Sequence, residues 1–179
     1  MLTEKAIWSI LEEVCDPEIP VLSIADLGII RQIHVYTTDN TPHTENLPHA
    51  PESIEVVITP TYSGCPAMNT IAAEIIAALK RHGAGEVRVR TVLSPPWTTD
   101  WISTAGRDKL LRYGIAPPIE STGNKRVRAL LGEEDPHGIV CPHCASADTQ
   151  IISRFGSTAC KALYKCNTCL EPFDYFKCH

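Results

Sequence analysis

The chain has 179 residues, a formal net charge of −5 and a hydrophobic content of 44%. This length suits one domain of ordinary size plus a smaller one, and the apolar content is sufficient for a packed core. The acidic balance argues against a protein that binds nucleic acid over its whole surface. No apolar run reaches about 18 residues and the N-terminus lacks a signal-peptide pattern, so we expect a cytoplasmic protein with no membrane association.

The first two-thirds of the chain alternates helical and extended patterns. Thr3 suits the N-cap of a first helix, and the β-branched run at 54–58 predicts a buried strand. Apolar residues recur at helical spacing over 68–79, whereas 86–93 alternates like a half-buried strand. Extended segments are predicted at 21–24 and 27–35, and a further helix at Gly106–Tyr113.

Cys65 lies between the strand at 54–58 and the helix at 68–79, at or near the helix N-cap. Backbone N–H groups and the helix dipole favour a thiolate there, which is both a nucleophile and a soft metal ligand. A structural buried cysteine is the alternative, and position alone does not separate the two. The preceding loop, 59–64, carries Gly, Ser and Thr, which let backbone and hydroxyls approach a ligand.

Eight cysteines in a chain without an export signal predict metal ligands or reactive thiols instead of disulfides. Only Cys15 and Cys65 precede residue 141, and this contrast predicts two domains. We place them at 1–116 and 138–179, joined by a linker at 117–137 that is rich in Pro, Gly, Ser and charge.

The C-terminal domain contains two C-x-x-C knuckles, Cys141–Cys144 and Cys166–Cys169. This spacing predicts a zinc ribbon whose metal ligands are Cys141, Cys144, Cys166 and Cys169. Four protein ligands leave no open position, so the zinc should be structural; a rubredoxin-like iron site is the alternative. Strands are predicted at 151–155 and 162–165. Other ligand candidates are the surplus Cys160 and Cys178, and His143 within the first knuckle.

Residues 3–115 resemble the iron–sulfur assembly domain of SufT-like proteins and of eukaryotic cytosolic iron–sulfur targeting factors. The motifs that carry this resemblance are Asp16-Pro-Glu18, Asp26-Leu-Gly28 and the segment Thr59–Pro66 with its Gly-Cys-Pro end. It implies an α/β fold, a small sheet packed with helices, and a role in maturing metal sites.

The same resemblance makes Cys65 the functional cysteine of a cluster-transfer or reactive site. Asp16 and Glu18 match the acidic motif near that site, although spacing alone favours a solvated turn for both. Thr61, from the same segment as Cys65, is the fourth candidate.

Four segments are similar to the D subunits of bacterial phenylacetyl-CoA epoxidase systems, and together they cover both domains. They are 59–66, Pro96–Trp101, Gly156–Tyr164 and Glu171–Cys178. This resemblance implies a non-catalytic maturation factor in phenylacetate degradation. Its partners would be the iron–sulfur reductase or the diiron oxygenase subunit of the epoxidase, with the ribbon as the docking module. The implied cofactors are structural zinc and a transient iron–sulfur cluster, or iron, at Cys65.

Other functions stay open at this stage. The chain could be an accessory subunit of the oxygenase complex, or an enzyme that uses Cys65 as a nucleophile on a CoA thioester. The sequence places no base beside Cys65 for such an enzyme and offers only His34 and His82 as weak candidates. A ribbon that binds nucleic acid is disfavoured because no basic cluster stands out in 141–179. Whether the chain is an enzyme is undecided, with a non-enzymatic role favoured. The client subunit and the formation of a homodimer are also open.

Overall fold

The computed structural model describes residues 2–36, 53–119 and 139–177. The chain divides into two compact units, Met1–Trp97 and Thr98–His179. The structure thus groups 98–116 with the second unit, whereas the sequence placed these residues in the first domain. The linker expected at 117–137 lies almost entirely outside the described residues, so the predicted domain boundaries stay a prediction.

The first unit is a small α/β domain, which confirms the predicted fold class. Its elements are α1 (Glu4–Leu11), β1 (Ile30–Tyr36), β2 (Ser53–Ile58), α2 (Ala67–Arg81) and β3 (Glu86–Thr91). The sheet order is β1-β2-β3, with β1 antiparallel and β3 parallel to the central β2. Because two adjacent parallel strands need a crossover, α2 connects β2 to β3.

Local sequence explains where these helices begin and what they bury. The Thr3 hydroxyl accepts the Ala6 N–H at 3.2 Å and caps α1, as the sequence predicted. Gly83, at φ +87°, follows α2 in a conformation that favours glycine. The apolar faces of both helices and the central strand supply the buried residues Ile7, Ile10, Leu11, Ile54, Val56, Ile58, Ile71, Ile75 and Leu79.

The segment between α1 and β1 is less extended than the sequence indicated. Extended structure was expected at 21–24 and 27–35, but the first of these contributes only an isolated bridge between Cys15 and Ser23. The cause is Asp26, whose Oδ2 accepts the backbone N–H and the hydroxyl of Ser23 at 3.1 and 3.0 Å. These local bonds compete with strand pairing and produce a turn before β1 begins at Ile30.

The second unit contains a short 3-10 helix and α3, followed by a four-stranded sheet. The elements are 3-10 helix Thr99–Trp101, α3 (Thr104–Arg112), β4 (Ile115–Ala116), β5 (Thr149–Ser153), β6 (Lys161–Cys166) and β7 (Pro172–Phe176). The sheet order is β4-β7-β6-β5, with β4 parallel to β7 and the other pairs antiparallel. The predicted ribbon hairpin corresponds to β5 and β6, whereas β4 and β7 were not predicted.

The core of the second unit includes two of the predicted ligand cysteines. Its buried residues are Ala116, Ile139, Cys141, Cys166 and Phe173. The Arg107 side chain donates to the backbone oxygens of Thr99 and Pro118 and so ties α3 to the segments on either side of it. Within the described parts of the chain, no helix combines the length and apolar character needed to cross a membrane.

Candidate functional site

Cys65 lies on a tight loop that leads from β2 into α2. The Cys65 N–H donates to the Tyr62 oxygen at 3.3 Å, and Gly64 within this turn has φ +90°. A turn of this kind requires a positive φ at its third position, which glycine adopts without strain. The N-cap of α2 is Pro66, so Cys65 lies one residue outside the helix, close to the predicted position.

The turn after α1 supplies the acidic part of the same site. Asp16 Oδ1 accepts the N–H groups of Glu18 and Ile19 at 2.8 and 2.9 Å, which fixes this turn. The negative charges of Glu18 and Asp16 both act on Cys65. Three of the four predicted site residues are thus coupled through their charges, while their role stays a prediction. The fourth, Thr61, is half-buried on the same loop as Cys65.

The electrostatics of Cys65 act in opposite directions on its thiol. Burial raises the pKa of the Cys65 thiol, and hydrogen bonds from the Ala67 N–H and the Tyr62 side chain lower it by less. The charges of Glu18 and Asp16 raise the same pKa further. The pKa of the Cys65 thiol is thus raised overall, chiefly by burial, with the two carboxylates acting in the same direction.

Tyr62 is a site residue that the sequence analysis missed. Its side chain hydrogen-bonds to Cys65 from within the same loop. The signal was present in the sequence, since a glycine at position 64 favours a turn that places residue 62 beside residue 65.

This arrangement suits a cation better than it suits a bare thiolate. Two carboxylates disfavour an isolated negative sulfur, but they favour a metal ion that replaces the thiol proton. Cys65, Asp16 and Glu18 do not form a group of three converging metal ligands. Among the described residues, such a group is found in the second unit.

That group consists of Cys141, Cys144, Cys166 and Cys169, whose sulfurs all lie within 4.8 Å of one another. The Sγ–Sγ distances are 3.7 Å for Cys141–Cys169 and 3.5 Å for Cys144–Cys166. Tetrahedral zinc with Zn–S bonds of about 2.3 Å requires sulfurs about 3.8 Å apart, so this donor set fits zinc. Four thiolates would fill its coordination sphere, and the bound ion would supply folding energy.

The two knuckles are built alike. Each ends in a residue with positive φ, Ala145 at 59° and Leu170 at 67°, which turns the chain away from the sulfurs. In each knuckle a backbone N–H points at the first sulfur: His143 N lies 3.4 Å from Cys141 Sγ, and Cys169 N lies 3.4 Å from Cys166 Sγ. Such bonds orient ligand thiolates and stabilise their charge.

Contacts between side chains hold the knuckles against each other. The hydroxyls of Ser146 and Thr168 are 2.8 Å apart, and Asn167 Nδ2 donates to Asp148 Oδ1 at 2.8 Å. The backbone N–H of Cys169 is the largest influence on Cys166 and lowers the pKa of its thiol to about 6. At least one ligand is therefore predisposed to be a thiolate at neutral pH.

The remaining ligand candidates have different outcomes. His143 is exposed and is not part of the four-sulfur group. Cys160 is buried away from that group, and its Sγ lies 3.0 Å from the Thr158 hydroxyl. Cys178 lies outside the described residues.

Comparison with known proteins agrees with both halves of this description. Residues 4–91 match a family model described as "Iron-sulfur cluster assembly protein", and residues 126–177 match one described as "PaaD zinc beta ribbon domain". The chain is also 43% identical to an Escherichia coli (strain K12) protein whose name describes it as the D subunit of a putative 1,2-phenylacetyl-CoA epoxidase. This match extends over 96% of this chain and 91% of that protein.

The chain belongs to the family of phenylacetyl-CoA epoxidase D subunits. This confirms the resemblance found in the sequence, and this chain carries both the assembly domain and the four-cysteine ribbon.

Two solved structures are similar to part of this D-subunit homologue. A DUF59 domain of unknown function from Bacillus anthracis is 25% identical, with a TM-score of 0.48 over 60% of this chain and 90% of that chain. A conserved hypothetical protein from Thermotoga maritima is also 25% identical, with a TM-score of 0.46 over 61% of this chain and 94% of that chain.

Proposed function

We propose that this chain is a non-catalytic maturation factor of the phenylacetyl-CoA epoxidase system that acts in the cytoplasm. In this role it delivers iron or an iron–sulfur cluster, as cargo, to the reductase or the diiron oxygenase subunit. The cargo would bind at Cys65, with Asp16, Glu18 and Thr61 around it. The family of the chain and its assembly domain support this proposal.

The feature that carries the proposal is the position of Cys65 on the tight loop between β2 and α2, where the charges of Glu18 and Asp16 act on its sulfur. A nucleophile needs a low pKa or an adjacent base, and this environment instead raises the pKa of the thiol. A cation removes the penalty, because the carboxylates that oppose a bare thiolate attract the positive ion. Cys65 therefore suits the reversible loading of a metal cargo.

The covalent alternative needs a base beside Cys65, and His82 does not supply one. The sequence offered His34 and His82 as weak candidates. His82 is the C-cap of α2 and bonds to the Ala78 oxygen at 2.9 Å, whereas Cys65 precedes the other end of this 15-residue helix. At 1.5 Å per residue the two ends are about 22 Å apart, too far for proton transfer. His34 lies beside Gln32 on β1.

The second part of the proposal assigns zinc to the four cysteines of the ribbon. Cys141, Cys144, Cys166 and Cys169 would hold one structural zinc ion, which supplies folding energy and no catalytic step. Their mutual distances and the zinc-ribbon family match support this assignment.

The test is production of the epoxidase subunits together with the wild-type chain or with Cys65→Ser. We expect Cys65→Ser to fold and to retain zinc, because Cys65 lies outside the ribbon. The client subunit should then be isolated with less iron, and the epoxidase should be inactive. The measurements are iron and zinc per chain, visible absorbance of the isolated subunits, and epoxidase activity.

Cys15→Ser is the matched control, since Cys15 is an exposed cysteine of the same unit. It should leave iron loading and epoxidase activity as in wild type. A fully active, fully loaded epoxidase produced with Cys65→Ser would overturn the proposal.

A further inference from the structure

The loop that follows β5 belongs to a segment that the proposed function leaves unexplained. Gly156–Tyr164 carries part of the resemblance to the epoxidase D subunits, yet it contributes no zinc ligand. The loop runs from Arg154 to Cys160 and folds back over the sheet. A Cβ on Gly156 would lie 3.1 Å from both Asp174 Oδ1 and Lys161 Cβ, so the loop backbone packs directly on the side chains of β6 and β7.

Hydrogen bonds hold this loop in one conformation. The Gly156 N–H donates to the Lys161 oxygen at 2.8 Å, and the Lys161 N–H donates to the Thr158 oxygen at 3.1 Å. The Ser153 hydroxyl donates to the Phe155 oxygen at 2.8 Å. Lys177 Nζ donates to the Arg154 oxygen at 2.7 Å, which attaches the start of the loop to the end of β7.

Two large apolar side chains are exposed to solvent here, one on the loop and one on the preceding strand β5. Phe155 is 68% exposed and Ile152 is 53% exposed. The Lys177 ammonium lies 4.2 Å from the centre of the Phe155 ring and fixes its position from one side. Single exposed apolar residues are common, but an exposed aromatic ring held in place by a cation is typical of an interaction surface.

The charges around Phe155 are positive. Arg154 is exposed, and among the described residues neither Arg154 nor Lys177 forms an ion pair with a carboxylate. Asp174, which lies beneath the loop, instead pairs with the buried Lys161 at 3.8 Å. We name the surface formed by Ile152, Arg154, Phe155 and Lys177 the Phe155 patch.

We propose that the Phe155 patch is the docking surface for an acidic protein face of the epoxidase client, with Phe155 inserted into an apolar pocket of that face. The proposal rests on the proposed function for the identity of the partner. Charge complementarity argues for an acidic partner, since Arg154 and Lys177 steer it to the patch while Phe155 and Ile152 supply the buried contact.

A second copy of this chain fits the patch less well. Symmetric contact would bring Arg154 and Lys177 of one copy against the same residues of the other, and like charges at an interface oppose binding. Extension of the sheet through the edge strand β5 is also impeded, because a register irregularity between Ile151 and Ser153 disrupts its pairing pattern.

The test measures binding of the zinc-loaded full chain to the purified reductase and to the purified oxygenase subunit, each in the absence of the other. We expect Phe155→Ala to weaken binding to the client by about tenfold or more, as removal of a central aromatic does. Arg154→Gln should weaken it by about threefold and reduce its dependence on salt. Both side chains are exposed, so zinc content and melting temperature should remain those of wild type.

Tyr113→Ala is the matched control, because Tyr113 is an aromatic residue of the same unit with 53% exposure. It should change the affinity by less than about twofold. Wild-type affinity of Phe155→Ala would overturn the docking proposal and leave the maturation proposal intact. Failure of the wild-type chain to bind either subunit would also overturn it, and the Cys65→Ser experiment would then decide the maturation role separately. Self-association that Phe155→Ala abolishes would identify a second copy as the occupant and would likewise overturn it.

Discussion

Cys65 shows that the position of a side chain before a helix does not by itself determine its chemistry. A cysteine before a helix N-terminus is expected to ionise readily, and the Ala67 N–H does act in that direction. Burial acts more strongly, and Glu18 and Asp16 add to it. Because the motif was recognised, the two acidic residues could be predicted from sequence. Their effect on the thiol could not, since it depends on burial and on how close the two turns approach.

Neutralising Glu18 should therefore make Cys65 more reactive. Glu18→Gln removes a negative charge that disfavours the thiolate, so it lowers the pKa of Cys65. At a fixed pH below that pKa, the thiolate fraction and the rate of alkylation by iodoacetamide should rise, and the rate profile should shift to lower pH. Peptide mass spectrometry separates Cys65 from the other cysteines. Glu74→Gln, a change on the exposed side of α2, should leave the rate profile unchanged. A wild-type rate profile for Glu18→Gln would contradict the conclusion that Glu18 raises the pKa of Cys65.

Individual elements of both units differ in how well the sequence predicts them. The helix α2 and the strands β2 and β3 follow from periodicity, because the pattern of apolar residues alone determines which face is buried. The strands β4 and β7 were missed for different reasons. Ile115–Ala116 is too short to show any alternation, and β4 forms only because β7, far along the chain, pairs with it. The turn before β1 was missed because its Ser23–Asp26 hydrogen bonds leave no periodic signal.

Trp97 makes a hydrogen bond to a residue far away in the sequence, and this bond stabilises the first unit. Its Nε1 donates to the Leu27 oxygen at 2.9 Å, and the ring is buried where the first unit ends. Trp97→Phe keeps an aromatic ring but removes the donor, and a buried carbonyl left without it costs about 1–3 kcal/mol. We expect the first unit to lose that much stability, measured by hydrogen exchange at the amides of α2. Trp8→Phe makes the same change at a half-buried tryptophan of α1 and should cost clearly less stability. Equal losses of stability for the two variants would show that the hydrogen bond from Trp97 does not stabilise the unit.

At the scale of the whole molecule, the two units depend on different sources of stability. The first buries a continuous apolar core from α1, α2 and the sheet. The core of the second includes two of its four metal-type cysteines, so the metal and the core are parts of one structure. The zinc site was predictable from the spacing of its cysteines, whereas the participation of Ala116 was not.

Removal of zinc should consequently unfold one unit and spare the other. Chelation by EDTA under reducing conditions should abolish hydrogen-exchange protection in β5, β6 and β7, while α2 keeps its protection. The native chain should contain one zinc ion, and Cys141→Ser should lose it. Cys160→Ser is the control, because this buried cysteine lies outside the four-sulfur group and its loss should leave the zinc content unchanged. Hydrogen-exchange protection of β6 that persists after complete removal of zinc would show that the second unit does not need the metal to fold.

The pairing of β4 with β7 also has a consequence for the order in which the protein is completed during synthesis. The strand Ile115–Ala116 leaves the ribosome early, but its partner Pro172–Phe176 is near the C-terminus. All four ligand cysteines emerge before β7, so the nascent chain has its full set of thiols before it has the strand that joins β4 to the ribbon. The first unit ends at Trp97, so it is synthesised before β7 and can fold first, as N-terminal domains generally do. Capture of zinc by the unfinished ribbon would therefore precede closure of its sheet, and premature termination just before Pro172 would yield a metal-competent chain whose second unit cannot close.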